Sequence, residues 1–349
     1  MIVGCNPRGA PRIASGHARH IPVLLAEVLE HLQPKTGANY IDATFGAGGM
    51  TRAILQAADC CVLALDRDRS AVASGAALVE EFAPRLTLVA ARFGELTHLP
   101  ALRTLGPVDG VVFDLGVSSL QLDAAERGFS FQSDGPLDMR MSQASGPTAA
   151  DIVNGQDEAV LADLLLRLGE ERRARAVARA IVAARRRQPI VRTGQLAEIV
   201  AAVFGRRTAE ARHPATRTFL ALRIAVNDEL AETAHGVSAA ERVLRPGGRL
   251  AVVAFHSLED RIVKRFFNLR AGLAADGSRH RPEAPMRRAS TFRVLNRRPV
   301  TPSPEEIAAN PRSRSAKLRA GSRTEAPAWP LDLSELAVPD VDLADMSGA

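Results

Sequence analysis

The sequence predicts an α/β fold in which a mostly parallel, doubly wound sheet is interrupted by a long helical segment. Three observations carry this. Residues 39–51 run from a short apolar stretch ending at Asp42, through Gly46, Gly48 and Gly49, into a helix-like segment. Apolar runs then alternate with helical periodicity as far as Asp114, with turn residues at the carboxyl end of each run. That alternation is the pattern of a parallel sheet with its site along those ends. Residues 121–213 carry helical patterns but no convincing β run, so an inserted helical domain is expected there.

The elements follow in chain order. Residues 1–19 hold Pro, Gly and Arg without an apolar stretch, and read as a disordered tail rather than a secretory signal. Residues 26–32 predict a helix that Pro34 stops. The first strand ends at Asp42 and the second, 61–65, ends in Asp66. The third spans 86–90 and is followed by Phe93; the fourth, 111–113, ends in Asp114. A helix is predicted over 70–82. Inside the insert, helical patterns cover 158–168, 170–187 and 193–204. Phe219, Leu222, Val226 and Leu230 stand at helical spacing and predict an inward-packing helix, with Arg217 on its opposite face. Pro246-Gly247-Gly248 turns into a fifth strand over 249–255, and Ser257-x-x-Asp260 resembles a capping box for the helix after it. Residues 271–288 read as a loop, and 292–295 and 315–319 as the last two strands. The expected organisation is a tail over 1–19, a sheet domain over 20–120 and 214–324, a helical insertion over 121–213, and a disordered acidic tail over 325–349.

No run of about 18 apolar residues exists, which excludes a membrane-spanning helix. Cys5, Cys60 and Cys61 have no zinc spacing and read as reduced thiols of a cytoplasmic protein. Net charge is +6, and the basic residues fall in two blocks. Residues 167–223 hold fourteen Arg against four acids, and residues 261–323 hold sixteen Arg or Lys against four. Two such blocks point to a polyanionic partner, most plausibly nucleic acid, over solvated helix faces.

The strand ends collect the candidate chemistry. The turn reads Gly46-x-Gly48-Gly49, unlike the dehydrogenase spacing G-x-G-x-x-G. Glycine there lets the backbone approach a ligand, and the following helix offers unpaired N–H groups. Asp66, 18 positions after Gly48, is placed to accept from a ribose. It does not separate NAD from S-adenosylmethionine, since both carry adenosine. Phe93 and Asp114 are placed to hold adenine; core packing for Phe93 and turn capping for Asp114 are the alternatives. Asp114, at the end of strand four, is also where an acceptor base could be held. His256 is either a strand-end site residue or a satisfied core histidine.

Seven blocks then stand in order: 42–49 (DATFGAGG), 114–119 (DLGVSS), 126–131 (ERGFSF), 134–141 (DGPLDMRM), 169–172 (GEER), 213–219 (HPATRTF) and 256–266 (HSLEDRIVKRF). From about His20 to Arg323 the chain resembles the MraW-type family of bacterial small-subunit ribosomal RNA methyltransferases. The resemblance implies a Rossmann-like class I methyltransferase that uses S-adenosylmethionine to methylate N4 of a cytosine in the decoding region of 16S rRNA, within the small ribosomal subunit. It carries cofactor binding to Gly48, Gly49, Met50, Asp66, Phe93, Asp114 and Gln121. The family usually has His where Met50 stands, a change that a backbone contact survives. A homodimer is consistent with the resemblance, and no metal is implied.

Amino-methylating enzymes often follow strand four with an Asp/Asn-Pro-Pro-aromatic turn. Here the turn is Asp114-Leu115-Gly116-Val117, so a ring stacking on the target base comes from elsewhere, and Phe129 and Phe131 are the candidates. Asp114 and His256 are the catalytic candidates. A protein that senses a nucleoside without turnover is the competing class; an NAD oxidoreductase is disfavoured by the glycine spacing.

Overall fold

Alternation of side chains across the pleat decides how the central strands are buried. Ile41, Leu63, Val111, Phe113, Leu250 and Val252 enter one apolar core. Their sequence neighbours Tyr40, Val62, Val112, Ala251 and Val253 enter a second core on the opposite face. Strands apolar on both faces belong in the middle of a sheet covered on both sides. The computed structural model describes residues 22–205, 213–273, 288–341 and 343. It contains β1 (Asn39–Asp42), β2 (Cys61–Asp66), β3 (Leu86–Ala90), β4 (Val108–Asp114), β5 (Leu244–Ala254), β6 (Phe292–Val294) and β7 (Lys317–Arg323) in one sheet of order β3-β2-β1-β4-β5-β7-β6. The first five strands are mutually parallel, and β7 runs antiparallel to both β5 and β6. Strand order reverses between β1 and β4, which opens a crevice at their carboxyl ends.

Most predicted elements are found where expected, with instructive shifts. The helix expected over 70–82 is two, Arg69–Ser74 and Ala76–Glu81, joined at Gly75. A Cβ on Gly75 would lie 2.5 Å from Leu88 Cδ2 and 2.7 Å from Phe45 Cε1, so the glycine is there for close packing. β5 begins five residues early, at Leu244, and its register with β4 shifts between Val108 and Gly110, which accommodates the Pro-Gly-Gly turn. The helix carrying Phe219 and Leu222 is Thr216–Asn227; Asp228, with φ +52°, ends it, and Leu230 belongs to the next helix, Glu229–Val243.

Between 121 and 213, the described residues hold helices and a single isolated bridge, Pro136 to Arg192. Leu161, Leu164, Val177, Ile181 and Leu196 are fully buried in the same core as Phe113 and Val252. The helical segment therefore packs onto one face of the sheet through a continuous core.

The carboxyl-terminal segment departs from expectation. Residues 1–19 lie outside the described residues, but 325–341 are described, and they pack against the protein. Arg270 is buried, donates through Nε to the buried Glu241 at 2.8 Å, and stacks over the Trp329 ring at 4.7 Å. Glu241 also accepts from the Trp329 backbone at 3.3 Å, and Leu336 is buried. The acidic composition hid three anchors, Trp329, Leu331 and Leu336, whose burial outweighs the polarity between them. Deleting residues 325–349 should lower unfolding stability by about 2–4 kcal/mol, since it exposes Leu336 and uncovers the Arg270–Glu241 pair. A denaturant midpoint equal to that of the full chain would show that the segment contributes nothing.

Candidate functional site

The turn after β1 is built on two carboxylates and one threonine hydroxyl. Asp42, fully buried at the end of β1, accepts from the Thr51 hydroxyl at 2.6 Å and from the Thr44 backbone at 3.1 Å. Asp66, ending β2, accepts from Gly46 N and Asp68 N, both at 2.8 Å. The Thr44 hydroxyl accepts from Asp114 N at 2.6 Å, which ties β4 to the same turn. Gly48 lies at φ +77°, and a Cβ there would meet Leu78 Cδ2 and Phe45 Cζ at 2.8 Å. Only glycine gives both the conformation and the space. The chain then enters the helix Gly49–Ala57, whose first N–H groups face the crevice end of the strands.

The structure gathers most of the predicted residues on this edge. Hydrogen bonds tie Asp66 and the Asp114 backbone to the turn, and Gly48 N donates to Phe45 O within it at 2.7 Å. The Met50 side chain is buried in the core beside Ile54, so only its backbone is available to a ligand. Phe93 follows β3, packs edge-on against Phe113 at 5.2 Å, and closes on Gly236, where a Cβ would stand 2.5 Å from its ring. It is half-buried. Gln121 is buried and its amide is spent: Nε2 donates to Asp68 at 2.9 Å, and Oε1 accepts from Ser118 N at 3.0 Å. Phe129 is buried in the core and its ring is not free to stack on a base, whereas Phe131 is half-buried and packs on His213 and Phe219.

Asp68 is the hub that motif reasoning missed. It caps the helix Arg69–Ser74 through Ser70, takes the Gln121 amide, and pairs with the buried Arg127 at 2.8 Å. Arg127 in turn donates to the carbonyls of Arg140 and Met141 at 3.0 Å. Four distant stretches, 68–70, 118–121, 127 and 140–141, are thus locked by one carboxylate. Asp68 follows Asp66 by two positions, and the Arg127 block was visible, but nothing local connects them.

His256, not Ser257, caps the helix Ser257–Arg270. Its Nδ1 accepts from Glu259 N at 3.4 Å, and Glu259 answers by accepting from Phe255 N and His256 N. The predicted capping box is therefore displaced by one residue. Ser257 instead donates to Glu170 at 2.8 Å, and Asp260 holds Lys317 and Arg319. His256 Nε2 lies 3.1 Å from Glu259 Oε1 without the alignment of a hydrogen bond, and is otherwise unpartnered. Glu229, His256 and Glu259 converge within 4.8 Å, but Arg223 grips Glu229 on both oxygens, at 2.8 and 2.7 Å. The guanidinium supplies the positive charge this cluster needs.

Burial and mutual repulsion set the electrostatics. Burial raises Asp42 to about 6, against the bonds from Thr51 and Thr44 that lower it. Burial, then the charges of Asp42 and Glu259, raises Asp114 to about 8. Burial also raises Asp66. Glu259 goes the other way: burial opposes its charge, but His256, Arg223 and the Phe255 N–H hold it below the ordinary range. Asp114 Oδ1 is buried without a partner among the described residues. A buried unpaired carboxyl oxygen at a strand end marks a place for a ligand.

The raised groups make stability fall as pH rises. From about pH 4 the folded protein keeps a proton on Asp42 up to about pH 6 and one on Asp114 up to about pH 8, both of which the unfolded chain has released. Asp114→Asn should match the parent near pH 4 and exceed its stability by ~1–3 kcal/mol near pH 8. Urea unfolding across that range checks this, and parallel pH profiles for the two proteins would count against it.

Comparison with known proteins places this geometry. The MraW methylase family model matches residues 17–324. The ribosomal RNA small subunit methyltransferase H of Parvibaculum lavamentivorans is 59% identical over 326 residues, covering 93% of this chain and 96% of that one. The protein of the same name from Nitrobacter hamburgensis is 61% identical over 310 residues, covering 89% and 92%. Among solved structures, a putative rRNA methylase from Clostridium thermocellum is similar at 14% identity and a TM-score of 0.41 over 87% of this chain and 99% of that one, too slight a likeness to carry argument. With its glycine turn, strand-end acids and the match over nearly its whole length, the chain belongs to the MraW methylase family.

Proposed function

We propose that this protein methylates N4 of a cytosine in the decoding region of 16S rRNA, in the small ribosomal subunit, with S-adenosylmethionine as methyl donor. The names of its relatives support rRNA as the substrate. The observation that carries the cofactor is the unpartnered Asp114 carboxyl beside the Gly48 turn, in a group of acids whose pKa values are raised. Such a group favours a cationic ligand, because a nearby positive charge relieves the cost of ionising buried carboxyls. A dinucleotide would bring an anionic pyrophosphate to the same turn, next to Asp42 and Asp66.

The residues fit the donor. Asp66 uses one lone pair of each oxygen on Gly46 N and Asp68 N, which leaves the others for ribose hydroxyls. Phe93 offers a ring for adenine, and Gly48, Gly49 and the Met50 backbone let the remainder lie close. Gln121 acts through Asp68, keeping the loop after β4 against the end of β2. Bound here, the sulfonium supplies an electrophilic methyl group. The cytosine amino group is a weak nucleophile because its lone pair is delocalised, so the chain must hold it in line, roughly 3 Å from the methyl. Asp114 Oδ1, free of protein partners, accepts an amino hydrogen and fixes that direction. His256 follows β5 by two residues, with its Nε2 turned toward Glu259.

The helical segment 121–213 is read as the substrate-recognition domain, since its exposed arginines Arg172, Arg175, Arg186 and Arg187 have no ion-pair partner among the described residues. The cytoplasm, where rRNA resides, is the proposed location; no helix among the described residues is long and apolar enough to cross a membrane.

Incubating the protein with radiolabelled S-adenosylmethionine and undermethylated small subunits should label 16S rRNA at one cytosine, located by nuclease digestion and mass spectrometry. Unlabelled rRNA would defeat the proposal. Asp66→Asn, which keeps one acceptor oxygen, should weaken S-adenosylmethionine binding roughly 10- to 100-fold in calorimetry. Unchanged affinity with an unchanged melting temperature would remove Asp66 from the site.

A further inference from the structure

The carboxyl edge of the sheet continues beyond β4 and β5 to β7 and β6, and its cations divide into two kinds. Lys317 and Arg319 are spent on Asp260, at 3.0 and 2.6 Å. Lys264, Arg297 and Arg298 are exposed and make no hydrogen bond or ion pair among the described residues. The loop carrying the two arginines is nevertheless fixed. Asn296 donates to Leu318 O at 2.8 Å and accepts from Ala320 N at 2.7 Å, and Val300 exchanges backbone bonds with Leu318 at 3.0 and 2.9 Å. Arg297 and Arg298 lie between these two pins, level with Leu318. Leu318 stands opposite Val253, and Val253 opposite Asp114. The arginines are therefore at the height of Asp114, three strand spacings away, or about 14 Å.

Beside them opens a cavity of about 290 Å³ whose walls include Lys264, Phe267, Asn268, Leu273 and Arg297. Unpaired cations on a pinned loop, next to a cavity with apolar walls, meet both needs of a single nucleic-acid strand: phosphate neutralisation and an apolar face for a base or ribose. The paired cations Lys317 and Arg319 could contribute only by giving up Asp260.

We propose that Lys264, Arg297 and Arg298 bind the phosphodiester backbone of the RNA strand a few nucleotides from the one held at Asp114. The choice of RNA rests on the methyl-transfer reading above. The strand would then run along the carboxyl edge from β4 across β5 and β7, with its target base at one end and its flanking phosphates at the other. These contacts add affinity and register without sequence readout.

The test measures binding without turnover. A short fluorescein-labelled single-stranded RNA is titrated against the full chain at several potassium chloride concentrations, for the parent and for Arg297→Gln/Arg298→Gln. Arg103→Gln is the control, an exposed position in the helix Pro100–Leu105 that precedes β4 and so lies toward the opposite edge. The double variant should bind about tenfold or more weakly at low salt, with the slope of log affinity against log salt reduced by about two. S-adenosylmethionine affinity should be unchanged. A slope equal to that of the parent, or an equal loss in Arg103→Gln, overturns the proposal. Because no methyl transfer is read, failure of the rRNA assay leaves this outcome independently decided.

Discussion

The turn between β1 and its helix depends on hydrogen bonds from backbone and hydroxyl groups to buried carboxylates. Asp42 holds Thr44 and Thr51, Asp66 holds Gly46, and the Thr44 hydroxyl holds the backbone of Asp114. Three parallel strands meet at this turn, and parallel strands leave no hairpin to fix their ends against each other. The carboxylates do that instead. The same bonds shape the crevice, because they set where Gly48 turns and where the oxygens of Asp66 and Asp114 finish.

Such an arrangement is electrostatically costly. Acids brought together at the buried end of a sheet repel one another and lose hydration, which is why Asp42 and Asp114 hold their protons well above the ordinary carboxyl range. Asp68 and Glu259 escape this because cations or hydrogen-bond donors face them: Ser70, Gln121 and Arg127 for the first, His256 and Arg223 for the second. Asp42 carries this cost while holding the turn, and Asp114 carries it with Oδ1 unpartnered among the described residues.

The arginines divide in a similar way. Arg127 and Arg270 are buried, Arg223 is half-buried, and each holds an acid: Asp68, Glu241 and Glu229 respectively. They join segments far apart in sequence and serve the fold. Arg297 and Arg298 at the rim of the sheet, and Arg172, Arg175, Arg186 and Arg187 on the helical segment, make no ion pair among the described residues. A high arginine count therefore does two jobs, and composition alone does not apportion them. The buried pairs are screened far less by salt, while the exposed cations act through a field that 0.1 M salt screens within about 10 Å.

Local chemistry was legible in the sequence. Glycine spacing, strand-end acids and alternating apolar runs are short-range signals, and they placed β1 to β4, the Gly48 turn, Asp66 and Asp114 on one edge. The helical character of the described part of 121–213 followed from periodicity alone. Contacts between distant residues were not legible. The hub at Asp68, the use of Gln121 on it, the burial of Met50 and Phe129, and the anchoring of Trp329 on Arg270 all pair residues whose partners lie dozens of positions away. The displaced cap at His256 shows the same limit on a small scale, since Ser257 and Asp260 fit the local pattern equally well and were claimed by Glu170, Lys317 and Arg319 from elsewhere in the chain. Sequence determined which groups could react, because backbone freedom and side-chain chemistry are properties of single residues. Tertiary structure decided which of them remain unpaired, because satisfaction of a buried polar group depends on what the fold brings beside it.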